Sequence, residues 1–422
     1  MHNNKTIIIS KQFYPVKGGV ETFLLEVAMT WNSKDIEVWC QKHDEVPNRM
    51  ENPVLIKRFS WGNGTFKNLC FLLKNAFNAS NKLLYCYFCL LFFLNRNVVK
   101  NCLPFIIESY AEMLSKLKKD KKPLVIQCSM PVYTGIIGLF YKLVFNVPLV
   151  VYAHGSELIY YSRRSNQKLI QQFVLKKADL LISNSQFTTD LLVSKGAERN
   201  KIYKTLLGAN TRMFYPKETQ SLIKKKYNIP NNHKIILTVS HLVPRKGADM
   251  VLKALPKILK EIPDLTYLIG GRGEYLNTLK GLVEKLQLEN HVIFLGFIKD
   301  EEINDLFNAC DVFIMPNRQQ DYDVEGFGIV FADAAACAKA TIAGNSGGAV
   351  DAIVDKKTGF LVNPLSIEDI SEKCIELLSD EGLRHRFGQN GYQRVKDELN
   401  WDSVRENIFS QIYKLTEKKD GK

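Results

Sequence analysis

Short runs of unbroken apolar, β-branched residues alternate with longer stretches of helical period along most of the chain. Residues 6–10, 36–40, 124–127, 149–152 and 180–183 form such runs in the first half, and 235–239, 265–269, 292–295, 312–315 and 340–343 in the second. A strand that is apolar throughout is one covered on both faces, and strands separated by helices run parallel. The pattern predicts an α/β chain of two doubly wound, Rossmann-like domains. The break is expected between residues 207 and 230. Gly208, Pro216, a polar Lys217-Glu218-Thr219-Gln220 segment and the Lys224-Lys225-Lys226 run fall there. The expected domains are 1–212 and 213–395, followed by a tail, 396–422, with helical apolar spacing at Val404, Ile408, Ile412 and Leu415.

One stretch departs from this rhythm. Residues 83–94 are twelve apolar or aromatic positions in a row, bounded by Lys82 and by Asn95-Arg96-Asn97. Crossing a bilayer takes about 20 residues, so the run is too short to span. It reads either as a packed helix or as a helix with one face on a membrane, since Lys67, Lys74, Lys82, Arg96 and Lys100 surround it. The opening, 1–5, is polar, and 6–10 is too short for the apolar region of a secretory leader, so that run is read as a first buried strand.

Composition narrows the class. The 422 residues are 46% hydrophobic and 24% charged, an ordinary globular balance that excludes collagen, coiled coil and bulk disorder. A formal net charge of +13 implies an acidic partner: nucleic acid, an anionic membrane or a phosphorylated small molecule. No aromatic-basic interleaving supports nucleic acid. Nine cysteines have no framework spacing, and the one close pair, Cys86 and Cys89, has no His or acid beside it. Reduced thiols in a cytoplasmic protein without a metal site are expected.

The candidate chemistry lies where expected strands end, at the mouths where helix N-termini bind phosphates. After the first comes Gly18-Gly19, read as either a tight turn or a phosphate loop. After 149–152 comes His154-Gly155, with His154 either a satisfied core histidine or a cleft residue. After 235–239 come His241, Arg245, Lys246 and Gly247, two fixed positive charges where a pyrophosphate could sit. Gly271 lies in a glycine-rich loop after 265–269, read as added backbone freedom or a plain turn. Beyond 312–315, Glu325 and Asp333 flank Gly326-Phe327-Gly328-Ile329, whose amides at Phe327, Gly328 and Ile329 are expected to open a helix toward a diphosphate. Asp333 is placed about two turns along, roughly 12 Å of rise from Glu325, a span that suits the two ends of one elongated ligand. Gly347-Gly348 adds a flexible turn at the same mouth.

Together, Gly18-Gly19, His154-Gly155, Arg245-Lys246-Gly247, the Glu325-x7-Asp333 pair and Gly347-Gly348 resemble, in family order, the retaining glycosyltransferases of family 4, or glycosyl transferases group 1. The likeness extends over nearly the whole chain and is greatest to the phosphatidylinositol-mannoside type of mannosyltransferase. It implies a GT-B fold, with two domains facing a central cleft and the C-terminal helix crossing back to the first. The first domain would bind the acceptor and the second the nucleotide-sugar. By the same resemblance Lys246 and the Gly19 amide hold the donor diphosphate, Glu325 binds the sugar hydroxyls and Asp333 the ribose, and His154 sits under the sugar. Two positions depart from the family. His241 stands where an Arg is usual, which removes a permanent charge unless His241 protonates or Arg245 swings across. Asp333 replaces a Glu that is one methylene longer.

The implied reaction moves a hexose from a UDP- or GDP-linked donor to an acceptor hydroxyl with retention, without a metal or other cofactor. Asp321-Tyr322-Asp323 has the letters of a metal motif but falls in a loop that varies in the family. The expected acceptor is a glycan or lipid-linked saccharide of bacterial surface polysaccharide, reached from the cytoplasm at the inner face of the membrane. Two rivals share the architecture: a nucleotide-sugar 2-epimerase and a non-catalytic nucleotide-sugar-binding protein.

Overall fold

The computed structural model describes residues 5–14, 16, 18–31, 34–43, 46–47, 49–50, 54–62, 71, 75, 79, 81–119 and 124–420. Lys17 beside the glycine pair, Lys67 and Lys74 beside the apolar run, residues 1–4 and the last two residues lie outside them. The chain forms two compact units, one of Met1–Thr205 with Arg405–Lys422 and one of Leu206–Val404.

The first unit holds a sheet of β1 (Lys5–Ile9), β2 (Ile36–Gln41), β3 (Arg49–Met50), β4 (Leu55–Phe59), β5 (Leu124–Cys128), β6 (Leu149–Ala153), β7 (Leu180–Ser183) and β8 (Ile202–Lys204). Their order is β3-β4-β2-β1-β5-β6-β7-β8, parallel except for the β3–β4 pair. The second holds β9 (Lys234–Val239), β10 (Leu265–Gly270), β11 (Val292–Gly296), β12 (Val312–Met315), β13 (Ala340–Gly344) and β14 (Gly359–Val362), all parallel, in the order β11-β10-β9-β12-β13-β14. In each sheet the chain works outward on one side and then restarts on the other. Strand order therefore reverses between β1 and β5 and between β9 and β12. Such switch points leave a crevice at the carboxyl ends of the strands.

All ten apolar runs are strands, each within a residue of its expected ends. Four strands were not anticipated. In β4 the charged Lys57 and Arg58 hid the pattern: Lys57 pairs with Glu37 and Glu112, while the buried Arg58 donates to the Tyr14 carbonyl at 2.5 Å and to Cys40 Sγ at 3.2 Å. The others are short, and β14 opens on a glycine.

The second unit starts seven residues before the expected 213, and the return to the first comes at Arg405 rather than at 396. The reason is local. The Ala209 amide donates to the Leu399 carbonyl at 2.7 Å, so the outgoing and returning strands run side by side within the second unit. The last helix, Trp401–Asp420, begins there, and from Arg405 onward it belongs to the first unit. Arg405 pairs with the buried Glu26 at 3.0 Å, and the Phe409 ring meets Trp31 edge-on at 5.3 Å.

The core of the first unit surrounds helix Tyr133–Phe145, where Phe140 is ringed by Phe71, Tyr85, Phe88 and Tyr110. The apolar run forms helix Lys82–Phe93, started by Asn81, whose side chain accepts from the Leu84 amide. Its inner face (Tyr85, Phe88, Phe92) is buried, while Leu83, Tyr87, Leu90 and Leu94 face outward. The packed-helix reading accounts for the inner face, and the outer face is apolar and exposed.

Phe409→Ala is expected to destabilise the chain by about 3 kcal/mol through the cavity left beside Trp31. Urea denaturation of the two proteins measures it.

Candidate functional site

The first unit gathers its chemistry around its switch point. Helix Gly19–Ala28 follows β1 with no side chain capping it, and the amides of Gly19, Val20 and Glu21 find no acceptor among the described residues. Gly18 is extended (φ −170°), so no tight turn demands a glycine there. A Cβ on Gly19 would meet nothing within 4 Å among the described residues. What remains is an open helix N-terminus of the kind that receives anions.

His154 leaves β6 with its amide bound to Glu157 Oε1 at 2.7 Å and its ring edge-on to Phe23 at 5.7 Å. Its Nε2 donates to the Ser129 carbonyl, at the end of β5, at 3.0 Å. That bond requires a proton on Nε2. Gly155 turns the chain into the next helix at φ 114°, a conformation that favours glycine. The ring is thus both tied into the unit and half-exposed at its mouth.

In the second unit the loops after β9 and β12 are joined across the switch point. The Arg318 amide donates to the Arg245 carbonyl at 2.8 Å, and the Arg318 guanidinium holds the buried Asp249 at 2.9 and 3.1 Å. Gly247 sits at φ 78°, where a Cβ would lie 2.1 Å from the Pro316 carbonyl oxygen. A 3-10 turn at Pro244–Lys246 then aims two cations at one carboxylate. Glu325 Oε2 receives Arg245 at 2.7 Å and Lys246 at 2.5 Å, and Arg245 also pairs with Asp323 at 2.9 Å. Burial pushes the Glu325 carboxyl up, but Lys246 and then Arg245 outweigh it, and the group is held below the usual carboxylate range.

The turn at Gly347-Gly348 holds this carboxylate in place. The Gly348 amide donates to the Glu325 carbonyl at 2.7 Å, and a Cβ on Gly347 would lie 2.5 Å from the same oxygen. Gly328 (φ 85°) starts helix Ile329–Ala336, and the amides of Phe327, Gly328, Ile329 and Val330 find no acceptor among the described residues.

Several expectations meet a different local geometry. The helix begins at Ile329, so Asp333 lies only about 6 Å of helical rise from its start, rather than two turns beyond Glu325. The Phe327 side chain belongs to the core, at 1% exposure. Gly271 is required by a close approach, since a Cβ would lie 1.8 Å from the Ser240 carbonyl oxygen, and its amide is already used on Gly296. His241 points outward beside Glu274 at 3.5 Å. Arg245 does not swing toward it, being held by Glu325 and Asp323. Asp321 is exposed at φ 52° and Asp323 faces Arg245; among the described residues no three His, Cys, Asp or Glu side chains gather as a metal site would require. Asn317 was missed. Fully buried after β12, it donates to the Ser346 carbonyl at 3.1 Å and accepts from the Gly344 amide at 3.3 Å, latching β12 to β13. A Pro-Asn pair closing an apolar run was its only signal.

Two family models match the chain: glycosyl transferases group 1 over residues 219–394 and glycosyltransferase family 4 over 94–210. The chain is 31% identical over 264 residues to a GDP-mannose-dependent monoacylated alpha-(1-6)-phosphatidylinositol monomannoside mannosyltransferase of Corynebacterium glutamicum, covering 62% of this chain and 68% of that protein. The chain belongs to glycosyltransferase family 4. A GDP-mannose-dependent alpha-(1-6)-phosphatidylinositol monomannoside mannosyltransferase of Mycolicibacterium smegmatis is 32% identical over 227 residues, or 53% of this family 4 chain. That match covers 59% of the relative's length, less than two thirds. In fold, sucrose-phosphate synthase from Thermosynechococcus elongatus superposes over 98% of this chain and 99% of its own, with a TM-score of 0.76 at 20% identity. The two Rossmann-like units are those of the GT-B fold.

The second acid of this family 4 chain has no side-chain partner among the described residues. Asp333 is 7% exposed, no other side chain among the described residues bonds to it, and burial holds its proton well above the usual carboxylate range. A carboxyl raised on folding contributes stability below its unfolded pKa and loses it as pH climbs toward the folded value. Asp333→Asn is therefore expected to raise the melting temperature of the unliganded protein near pH 8, with the gain fading toward pH 4. Thermal denaturation across that range checks both the sign and the trend.

Proposed function

We propose that this chain is a retaining, metal-independent hexosyltransferase that moves a sugar from a nucleoside diphosphate donor to a hydroxyl of a lipid-linked saccharide in bacterial surface-glycan assembly. The observation that carries the reading is the second unit's switch point. There Lys246 and Arg245 meet on the buried Glu325, in a chain whose neighbouring helix N-terminus leaves four amides without acceptors among the described residues.

The chemistry needs charge stabilised on the departing diphosphate. Amides fixed at a helix N-terminus and an ammonium held in place require no rearrangement as that charge develops. Glu325 keeps its negative charge, so it accepts from the donor sugar's hydroxyls and turns the ring. Asp333, with an open valence, takes the ribose. The first unit offers the open amide of Gly19 for an anion and the His154 ring, oriented by Ser129, for a sugar. The anomeric carbon–oxygen bond to the diphosphate breaks, a bond to the acceptor oxygen forms on the same face, and the hydroxyl proton leaves to the diphosphate or solvent. GDP-mannose is the leading donor, since both relatives named above are described as GDP-mannose-dependent.

A thermal-shift panel of UDP, GDP, UDP-hexoses and GDP-mannose tests the donor site. At about a hundred times its dissociation constant, a true donor stabilises by roughly 3 kcal/mol. Guanosine nucleotides are expected to stabilise the wild type and to lose that effect in Lys246→Ala. No shift with any of them would remove the donor reading and leave a protein without this chemistry.

With a lipid-linked acceptor, turnover is expected to continue in EDTA, and the proton NMR coupling of the product should show the donor's anomeric configuration. Inversion, or activity that returns only with Mn²⁺, would refute those parts of the mechanism. Epimerised sugar without a glycosylated product would point to the 2-epimerase reading.

A further inference from the structure

The outer face of helix Lys82–Phe93 is not explained by folding. Leu83, Tyr87, Leu90 and Leu94 follow one helical stripe and are 86%, 46%, 53% and 60% exposed, on a helix whose opposite face is fully committed to the core. The stripe continues onto a second helix, Ser165–Lys177. Tyr87 meets Phe173 edge-on at 4.9 Å, Asn166 donates to the Leu94 carbonyl at 3.4 Å, and Leu169 is 46% exposed. Between the two helices lies a groove of about 380 Å³, lined by Leu84, Tyr87, Leu169 and Phe173 and edged by Lys176 and Lys177. Contiguous apolar surface of this kind marks a place where something docks.

Charge says what. No Asp or Glu occurs in residues 82–107 or 158–177, whereas those segments carry eight Lys or Arg, five of them (Arg163, Arg164, Lys168, Lys176 and Lys177) in the second. We propose that the first unit docks on an anionic lipid bilayer through this helix pair, with the leucine stripe in the boundary layer and the basic residues among the head groups.

The helix lies on the membrane and does not cross it. Among the described residues no single helix is long and apolar enough to span; this helix and the following one, Arg96–Lys119, reach that length and apolarity only together, and a 120° bend breaks the span between them. A second copy of the chain fits the surface poorly, because an isologous contact would set these acid-free basic segments against themselves. The proposal extends the functional reading by naming the surface on which a lipid-linked acceptor is met, but it does not depend on the reaction.

Its test therefore uses no donor or acceptor. The full chain is mixed with vesicles of phosphatidylcholine alone or with phosphatidylglycerol added, and co-sedimentation is followed at ~0.05 and ~0.5 M salt. Binding is expected only with phosphatidylglycerol and to weaken at high salt. Lys176→Glu with Lys177→Glu should lower it at least fivefold per charge at low salt. Leu90→Asp with Leu169→Asp should abolish it while leaving the melting temperature unchanged, since both side chains already face solvent. Absence of sedimentation, equal binding to neutral vesicles, or unchanged binding by both variants overturns the proposal. So does a wild-type dimer in light scattering that Leu90→Asp turns into a monomer, which would make this face a self-contact.

Discussion

Two cations and one carboxylate occupy the crevice of the second unit, and much of the local fold exists to hold them there. Arg245 and Lys246 are consecutive, while Glu325 lies some eighty positions later in the chain. They meet because the loops after β9 and β12 are adjacent at the switch point and are joined backbone to backbone, with Arg318 on Asp249 as a second clasp. Removing charges from water is costly, and a buried ion cluster is kept only where its geometry is fixed and every member is met. Here Gly247 lets the first loop approach Pro316, and Gly347-Gly348 grips the Glu325 carbonyl. The geometry is therefore set before any ligand arrives, as electrostatic catalysis requires.

Much of the fold was legible because parallel strands covered on both faces leave an unmistakable apolar run. That signal fails where a strand carries charged side chains met by partners distant in sequence. Lys57 and Arg58 interrupt the apolar run of β4, and their partners Glu37, Glu112 and Tyr14 lie elsewhere in the sequence. The site was legible as residue types at strand ends, but not as pairings. Nothing in the spelling of Arg245-Lys246 says that both will turn to Glu325. Nor could residue spacing alone locate Asp333, because Gly328 adopts a positive φ and delays the helix until Ile329. Helical rise cannot be counted across a loop.

The glycines show the same division. Gly247, Gly271 and Gly347 are demanded by carbonyl oxygens that a Cβ would strike, so their presence is explained within the fold. Gly19 is different, because among the described residues nothing stands where its side chain would be. An uncapped helix start beside an empty position is what a bound anion uses, whereas a helix needed only for packing is served by any residue there. His154 belongs with it: its Nε2 is fixed by Ser129, and the ring is aimed by the chain rather than by chance.

The two acids of the second unit have been pushed in opposite directions. Glu325 sits in a nest of positive charge that keeps it ionised, so it can only accept hydrogen bonds. Asp333 is buried with no cation beside it among the described residues and keeps its proton to higher pH than an ordinary carboxyl, so it can also donate one. Separation of that kind marks groups with different tasks. It also bears on the two departures from the family. With His241 turned outward to Glu274, the fixed positive charge at the crevice is Arg245 and Lys246, and both are already balanced by Glu325 and Asp323. In the reading proposed above, a diphosphate at this crevice would share Lys246 with Glu325 rather than meet an unpaired cation.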